Sequence, residues 1–424
     1  MQGLLVFFLL GCSGRQAFDR DKAVRYDRRF SRNVVLKTVP LRAQVLYRGS
    51  LALMLALAAL WSVSGDARSR WSPTEVNRWY AAQPWLIGSN YIPADAINQL
   101  EMWQADSFAP ATIDRELGWA EDLGMNSMRV FLHDQLWQQD PKGFSDRINR
   151  FLAIAQRHHI RPMFVLFDSC WDPHPRLGPQ HLPIPGVHNS GWVQSPGPEA
   201  LADPAQRPRL EAYVKGVIQR FAHDDRILAW DVWNEPDCLA DIYTGQASNK
   251  DELVAALLPS VFDWARAANP TQPLTSGVAG GDDWAPSHEQ SVIQSTQLSQ
   301  SDFITFHDYG WPEAFASRIV QLRGYGRPIV ATEYMARGAG STFDGVLPIA
   351  KRADVGVYNW GFVDGRTQTR LPWDSWKKPY TMDEPTIWFH DILHQDGTPY
   401  RPAETQLIRR VAGAPRFIVP ELAR

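Results

Sequence analysis

From Pro84 onward, short apolar runs alternate with segments whose apolar residues recur every three to four positions. The runs are rich in β-branched and aromatic residues and apolar on both faces, like strands of a parallel sheet covered by helices. The spaced segments read as one-sided helices. Residues 85–91 predict a first strand. Ile113, Leu117, Ala120 and Leu123 predict its helix, with Asp114 and Glu116 in the first turn and Gly124 as the stop. Residues 127–132 and 162–167 predict strands two and three. Their helices are marked by Ile148, Phe151, Leu152 and Ala155, then by Leu210, Tyr213, Val214, Val217 and Phe221. The fourth strand falls on 227–235, with a helix over 253–268. A weaker fifth strand, 273–278, precedes a poorly marked helix near 290–297. Strands at 303–307, 328–333 and 355–360 follow, with helices around 313–322, 343–352 and 403–411. Eight strand–helix units predict an α/β fold, a (β/α)8 TIM barrel forming a single catalytic domain. A doubly wound sheet is the rival, and the absence of a Gly-rich loop after the first strand counts against it.

Polar and aromatic residues gather where the predicted strands end: Asn90, Arg129, Asp168, Asn234, Glu235, His307, Tyr309, Glu333 and Trp360. In a barrel those ends face one mouth, where chemistry collects. The fourth strand is the sharpest case. Its greasy run stops at Asn234-Glu235-Pro236, and a carboxylate there is costly unless something uses it. Pro236 ends the ladder and forces a turn. Glu333 repeats the logic at the end of strand seven. Strands four and seven are expected on opposite sides of the barrel, with the two carboxylates facing across a sugar-sized gap. Paired carboxylates are the apparatus of glycoside hydrolysis, one protonated and one ionised. Arg129, a fixed cation, would hold Glu333 ionised. Asn234 would bond a sugar 2-hydroxyl, and His307 and Tyr309 would orient the nucleophile. Taken singly, each residue has a plain structural role as an ion-pair partner, a core hydrogen bonder or, for Asp168, a loop cap. The pair in matching context is what points to catalysis.

Composition narrows this further. The 424 residues carry 43 basic and 46 acidic side chains, a net charge of −3, which leaves no nucleic-acid footprint. Eighteen tryptophans suggest an aromatic-lined cleft, with Trp171, Trp192, Trp311, Trp360 and Trp373 as candidate sugar platforms. The three cysteines, Cys12, Cys170 and Cys238, do not form the close pairs of a zinc finger. No metal or cofactor is expected, and the protein is expected to be a monomer whose partner is a carbohydrate.

Residues 1–67 read as an extension rather than as domain. The apolar run 51–61 follows Arg42 and Arg48 and precedes small residues from Ser62 to Ala67, the order of a signal peptide. The run is too short for a stable membrane span, which takes roughly 20 residues. The mature chain is expected to begin near Arg68, leaving 68–424 as the catalytic domain of a secreted or periplasmic protein. Cys170 and Cys238 then lie just past neighbouring strands, and a disulfide between them is expected.

Trp233-Asn234-Glu235-Pro236 and Thr332-Glu333-Tyr334 resemble the acid/base and nucleophile strands of glycoside hydrolase family 5, the cellulase-like enzymes of the retaining (β/α)8 clan. The resemblance covers about residues 84–412. It implies Glu235 as acid/base and Glu333 as nucleophile, and it matches Arg129, His307-Asp308-Tyr309 and Trp360 to further site positions of the family. This chain departs from the pattern at strand three, where Phe167-Asp168-Ser169-Cys170-Trp171 stands in place of the usual terminal His, before a long loop rich in Pro and Gly. The implied member is distant or atypical. Its expected activity is double-displacement hydrolysis of β-glycosidic bonds in a plant- or microbe-derived glycan, of the cellulase, mannanase or xylanase kind. Substrate binding is assigned to Asn90, Arg129, Asp168, Trp171, Asn234, His307, Tyr309 and Trp360. A transglycosylase with the same residues, or a non-catalytic glycan-binding barrel, are the alternatives.

Overall fold

The computed structural model describes residues 67–239 and 242–413. The signal-peptide-like stretch lies outside the described residues. The strands are β1 (Ile87–Asn90), β2 (Ser127–Phe131), β3 (Met163–Asp168), β4 (Ala229–Asn234), β5 (Leu274–Thr275), β6 (Ile304–His307), β7 (Ile329–Tyr334) and β8 (Gly356–Asn359). They form one parallel eight-stranded sheet in the order β5-β4-β3-β2-β1-β8-β7-β6. The two ends of that order meet. Val278, just past β5, pairs in parallel with Phe306 of β6. Its N–H donates to Thr305 at 3.0 Å, and its carbonyl accepts from the His307 N–H at 2.9 Å. The sheet therefore closes as a (β/α)8 barrel. Every strand residue is buried, as apolar runs without alternation require.

The predicted helices form where one-sided apolar spacing marked them. They include Pro110–Asp122, Pro141–Arg157, Arg207–Arg220, Lys250–Ala267, Pro312–Arg323 and Phe343–Arg352. One reading is corrected. The first of these starts at Pro110, so Asp114 and Glu116 lie beyond its first turn. Glu116 is instead fully buried, accepting from the Tyr91 hydroxyl at 3.0 Å and from the Ala94 N–H at 3.2 Å.

A helix not foreseen, Pro73–Ala81, precedes the barrel. Ser72 and Glu75 close a capping box at its start. Its Val76 and Tyr80 pack with Leu86, Met163, Leu228, Phe303 and Val330, which stand at the beginnings of their strands. The helix thus plugs the floor of the barrel and leaves only the opposite mouth open. Arg68, just before it, pairs with Asp302 at 2.5 Å. Among the described residues, no helix is long and apolar enough to cross a membrane.

The strand order also corrects the expected placement of the two carboxylates. Counted through β5 and β6, β7 is three places from β4, one short of diametrically opposite. The side chains are correspondingly closer than a full barrel diameter.

Candidate active site

Glu235 follows β4 directly. Its backbone sits in the left-handed region at φ +39°, a strained conformation for a non-glycine residue, with Pro236 next in the chain. That turn carries its side chain over the mouth. Glu333 belongs to β7, where its neighbour register shifts against both β6 and β8. His307, the last residue of β6, stands between the two. Its Nδ1 lies 2.7 Å from Glu235 Oε1 and 3.6 Å from Glu333 Oε2. One oxygen of each carboxylate and a nitrogen of His307 all fall within 4.8 Å of one another.

Behind Glu333 lies Arg129 of β2, whose side chain has no solvent exposure. Its Nη1 donates to Glu333 Oε1 at 2.9 Å and to Asn90 Oδ1 at 2.9 Å, and its Nη2 donates to Asn234 Oδ1 at 2.6 Å. Nε and Nη2 both reach Asp231 Oδ2, at 3.1 and 2.8 Å. Burial opposes the guanidinium charge, but Asp231 and Glu333 outweigh it and raise its pKa further. The other Glu333 oxygen accepts from the Tyr309 hydroxyl at 2.6 Å. Glu235 is held differently. The Cys170 thiol donates to its Oε2 at 2.9 Å, and His307 bonds its Oε1.

Burial pushes both carboxyls above the usual range. At Glu333, His307, Arg129 and the Tyr309 hydroxyl work against that rise, while the charge of Glu235 adds to it. At Glu235 the Cys170 thiol, Arg129 and Cys238 oppose it. Burial also lowers His307 to about 4, so its ring is neutral in the ordinary pH range.

These groups open into a cleft of about 480 Å³. It is lined by Asp168, Cys170, Trp171, His188, Asn234, Glu235, Cys238, Tyr309, Glu333, Trp360 and Trp373, with Leu239 and Ile242 at the rim. Asp168 accepts from the Cys170 N–H at 3.0 Å, from Asn234 Nδ2 at 3.0 Å and from Trp192 Nε1 at 2.7 Å. It caps its loop and faces the cleft at once, and burial raises its pKa to about 6. Trp171, at φ +73°, stacks on Trp376 with ring centroids 5.9 Å apart.

One side of the cleft is a built wall. The loop after β3 is stitched to the segment after β8. The Asn189 N–H donates to Thr367 at 2.9 Å, the Tyr380 N–H donates to Gly186 at 2.8 Å, and the His188 N–H donates to Ser375 Oγ at 3.0 Å. His188 Nδ1 lies 2.9 Å from the Leu371 carbonyl.

The geometry sorts the expected site residues. Glu235, Glu333, Asp168, Trp171, Asn234, Tyr309 and Trp360 line the cleft, with His307 between the carboxylates. Asn90 and Arg129, expected to touch substrate, lie behind Glu333 and are taken up by scaffold bonds, Asn90 also donating to the Thr332 carbonyl at 2.8 Å. Of the tryptophans, Trp171, Trp360 and Trp373 reach the cleft. Trp192 is 2% exposed behind Trp360, and Trp311 is exposed away from it. The cysteines expected to be joined are free thiols, with Cys170 turned to Glu235. Two residues escaped the sequence reading. Asp231 was hidden as one charge inside a strand, and Lys250 as an ordinary first-turn helix residue; its buried Nζ donates to the Ser169 and Cys238 carbonyls at 2.6 and 2.7 Å.

No protein-family model matches the chain. Among curated proteins, the chain is similar to a probable mannan endo-1,4-beta-mannosidase F of Aspergillus flavus, 21% identical over 208 residues, which is 45% of this chain and 42% of that protein. It is also similar to a probable mannan endo-1,4-beta-mannosidase C of Aspergillus terreus, 26% identical over 151 residues, 31% of this chain and 37% of that one. The match thus spans less than half the length of these relatives. Among solved structures, a GH5_18 protein from Streptomyces cattleya in complex with Manb1-4GlcNAc superposes with a TM-score of 0.54 at 14% identity, covering 79% of this chain and 82% of that one. An exo-beta-1,4-mannosidase from Opitutaceae bacterium strain TAV5 does so at 0.51 and 18% identity, covering 77% and 59%. The chain is therefore similar over part of its length to probable mannan endo-1,4-beta-mannosidases, and it shares the fold of these solved structures, a (β/α)8 barrel.

Proposed function

We propose that this protein is a retaining glycosidase acting on β-mannosidic bonds. The observation that carries the reading is the spacing of the two carboxylates, one oxygen of each within 4.8 Å across His307. Retaining enzymes hold their carboxyls about 5–5.5 Å apart, whereas inverting enzymes leave roughly 6.5–9.5 Å for a water. The mannan specificity rests on the similar proteins, two probable mannan endo-1,4-beta-mannosidases and an exo-beta-1,4-mannosidase.

In this reading Glu333 attacks the anomeric carbon while Glu235 protonates the departing oxygen. Glu235 then takes a proton from water as that water releases the sugar from Glu333. The two carboxyls titrate as a pair. The guanidinium of Arg129 and the hydroxyl of Tyr309 favour charge on Glu333, so the shared proton rests on Glu235. Arg129 is a positioning residue, since it reaches substrate only through Glu333. Asn234, its oxygen fixed by Arg129 and its nitrogen turned to Asp168, is placed for a sugar 2-hydroxyl. The stitched wall favours short substrates or release from a chain end. We further propose that 68–424 is the exported catalytic domain and that 1–67 carries its signal peptide; N-terminal sequencing of the secreted protein tests this, and an intact 1–60 segment there overturns it.

The decisive experiment is hydrolysis of aryl β-mannosides and β-1,4-mannan, followed by NMR of the first-formed anomer. Retention, with turnover lost in Glu235→Gln and Glu333→Gln and an inverted glycosyl azide formed by Glu333→Ala in azide, supports the reading. An inverted first product, or full activity in either Gln variant, overturns it.

A further inference from the structure

The proposed chemistry gives the two cleft thiols no bond-making step of their own. Cys170 and Cys238 come from loops after neighbouring strands, yet their sulfurs and a Glu235 oxygen all lie within 4.8 Å of one another. Lys250 builds this arrangement. It is buried, and its ammonium spans the carbonyls of Ser169 and Cys238 at 2.6 and 2.7 Å, which ties the two thiol-bearing loops together. All three donor residues line the cleft, so a fourth position faces its open space.

We propose that Cys170, Cys238 and Glu235 form a site for a thiophilic divalent cation, zinc being the reference ion, and that its occupation blocks the cleft. Two sulfurs and one carboxylate oxygen match the donors zinc takes, at about 2.3 Å for sulfur and 2.0–2.2 Å for oxygen. Tetrahedral edges of roughly 3.5–3.8 Å follow from those lengths; the donors lie within 4.8 Å of one another, and Cys170 Sγ, now 2.9 Å from Glu235 Oε2, has to move slightly apart from that oxygen to share an ion with it. Hard cations such as magnesium and calcium prefer all-oxygen shells and are disfavoured by the two sulfurs. Binding releases the thiol protons to solvent. With Glu235 ligating the ion, it can neither hold nor deliver a proton. The blocking part of the proposal rests on the role given to Glu235 above; the binding part does not.

The test is a titration of the full chain, kept reduced by a phosphine, with zinc chloride against a chromogenic chelator, and in parallel with cobalt(II). The expected result is one ion per chain with a Kd in the micromolar range or below, a thiolate-to-cobalt charge-transfer band, and loss of glycosidase activity at the same stoichiometry that chelator restores. Cys238→Ser weakens zinc by at least about tenfold and removes the charge-transfer intensity of one sulfur. It folds as the parent does, checked by its melting curve, and, measured against its own zinc-free turnover, is inhibited only at zinc concentrations at least about tenfold higher. Absence of a one-to-one complex, a cobalt spectrum without sulfur character, or unchanged zinc affinity in Cys238→Ser overturns the proposal. The spectrum reads binding without substrate, so an idle enzyme that still binds cobalt through sulfur refutes the catalytic reading and not this one.

Discussion

Arg129 and Asp231 hold each other where neither side chain touches solvent. Asp231 Oδ2 accepts from both Nε and Nη2 of Arg129, at 3.1 and 2.8 Å. The pair anchors the cation that stands behind Glu333, and a buried charge that loses its partner is left uncompensated. Asp231→Asn should therefore cost about 3–5 kcal/mol of folding stability, read by denaturant unfolding. A loss under 1 kcal/mol would mean that Arg129 is held by its other three partners alone.

Removing the cation has a distinct signature. Arg129 opposes the upward push of burial on Glu333. In Arg129→Met the Glu333 carboxyl rises, and the acidic limb of the kcat/KM profile, where under the proposed mechanism Glu333 gains its proton, moves to higher pH. Arg129→Lys restores most of the shift while losing the fork that reaches Asn90 and Asn234. An acidic limb that stays in place in the Met variant refutes the link.

The Cys170 thiol acts on the other limb. Its hydrogen bond lowers the pKa of Glu235 against burial. Cys170→Ala raises that carboxyl, so the alkaline limb, where under the proposed mechanism Glu235 loses its proton, moves to higher pH. Cys170→Ser keeps a donor and should lie closer to the parent profile.

His188 supplies a stability prediction. Burial lowers its ring from 6.5 to about 4, so the folded protein resists its protonation and the unfolded chain does not. The contribution is complete above the unfolded value and is lost as pH falls from about 6.5 to about 4. Over that window it amounts to about 3 kcal/mol. A His188→Gln variant lacks the term, so the stability gap between parent and variant should narrow as pH falls through the window. A gap that holds constant refutes it.

The tryptophans separate by position. Trp360 lines the cleft, whereas Trp311 is 67% exposed outside it. Trp360→Ala should raise KM by about tenfold, on the order of 1.4 kcal/mol of lost binding, with Trp311→Ala unchanged. Equal effects from both would move the sugar path elsewhere.

How much of this was legible follows from what each element depends on. Strands buried on both faces announce themselves as continuous apolar runs, and the helix predicted at 343–352 forms over Phe343–Arg352. The two-residue β5 and the floor helix Pro73–Ala81 are short, and short elements carry little periodic signal. The polar strand ends marked the mouth correctly, because in a parallel barrel every strand delivers its last residues to the same rim. The depth of each side chain behind that rim was not legible. Asn90 and Arg129 looked like substrate contacts and are instead the packing behind Glu333.

The chain by itself determined the barrel, its open end and the rim positions of Glu235 and Glu333, because burial and strand termination act locally and leave their pattern in the residues. Tertiary structure alone decided who touches whom. Arg129 meets Asp231 across 102 residues, and Cys170 meets Glu235 across 65. Such pairings are set by barrel closure and strand order, not by spacing along the chain. Closure put β7 three places from β4, brought the carboxylates to either side of His307, and set two distant thiols beside one of them.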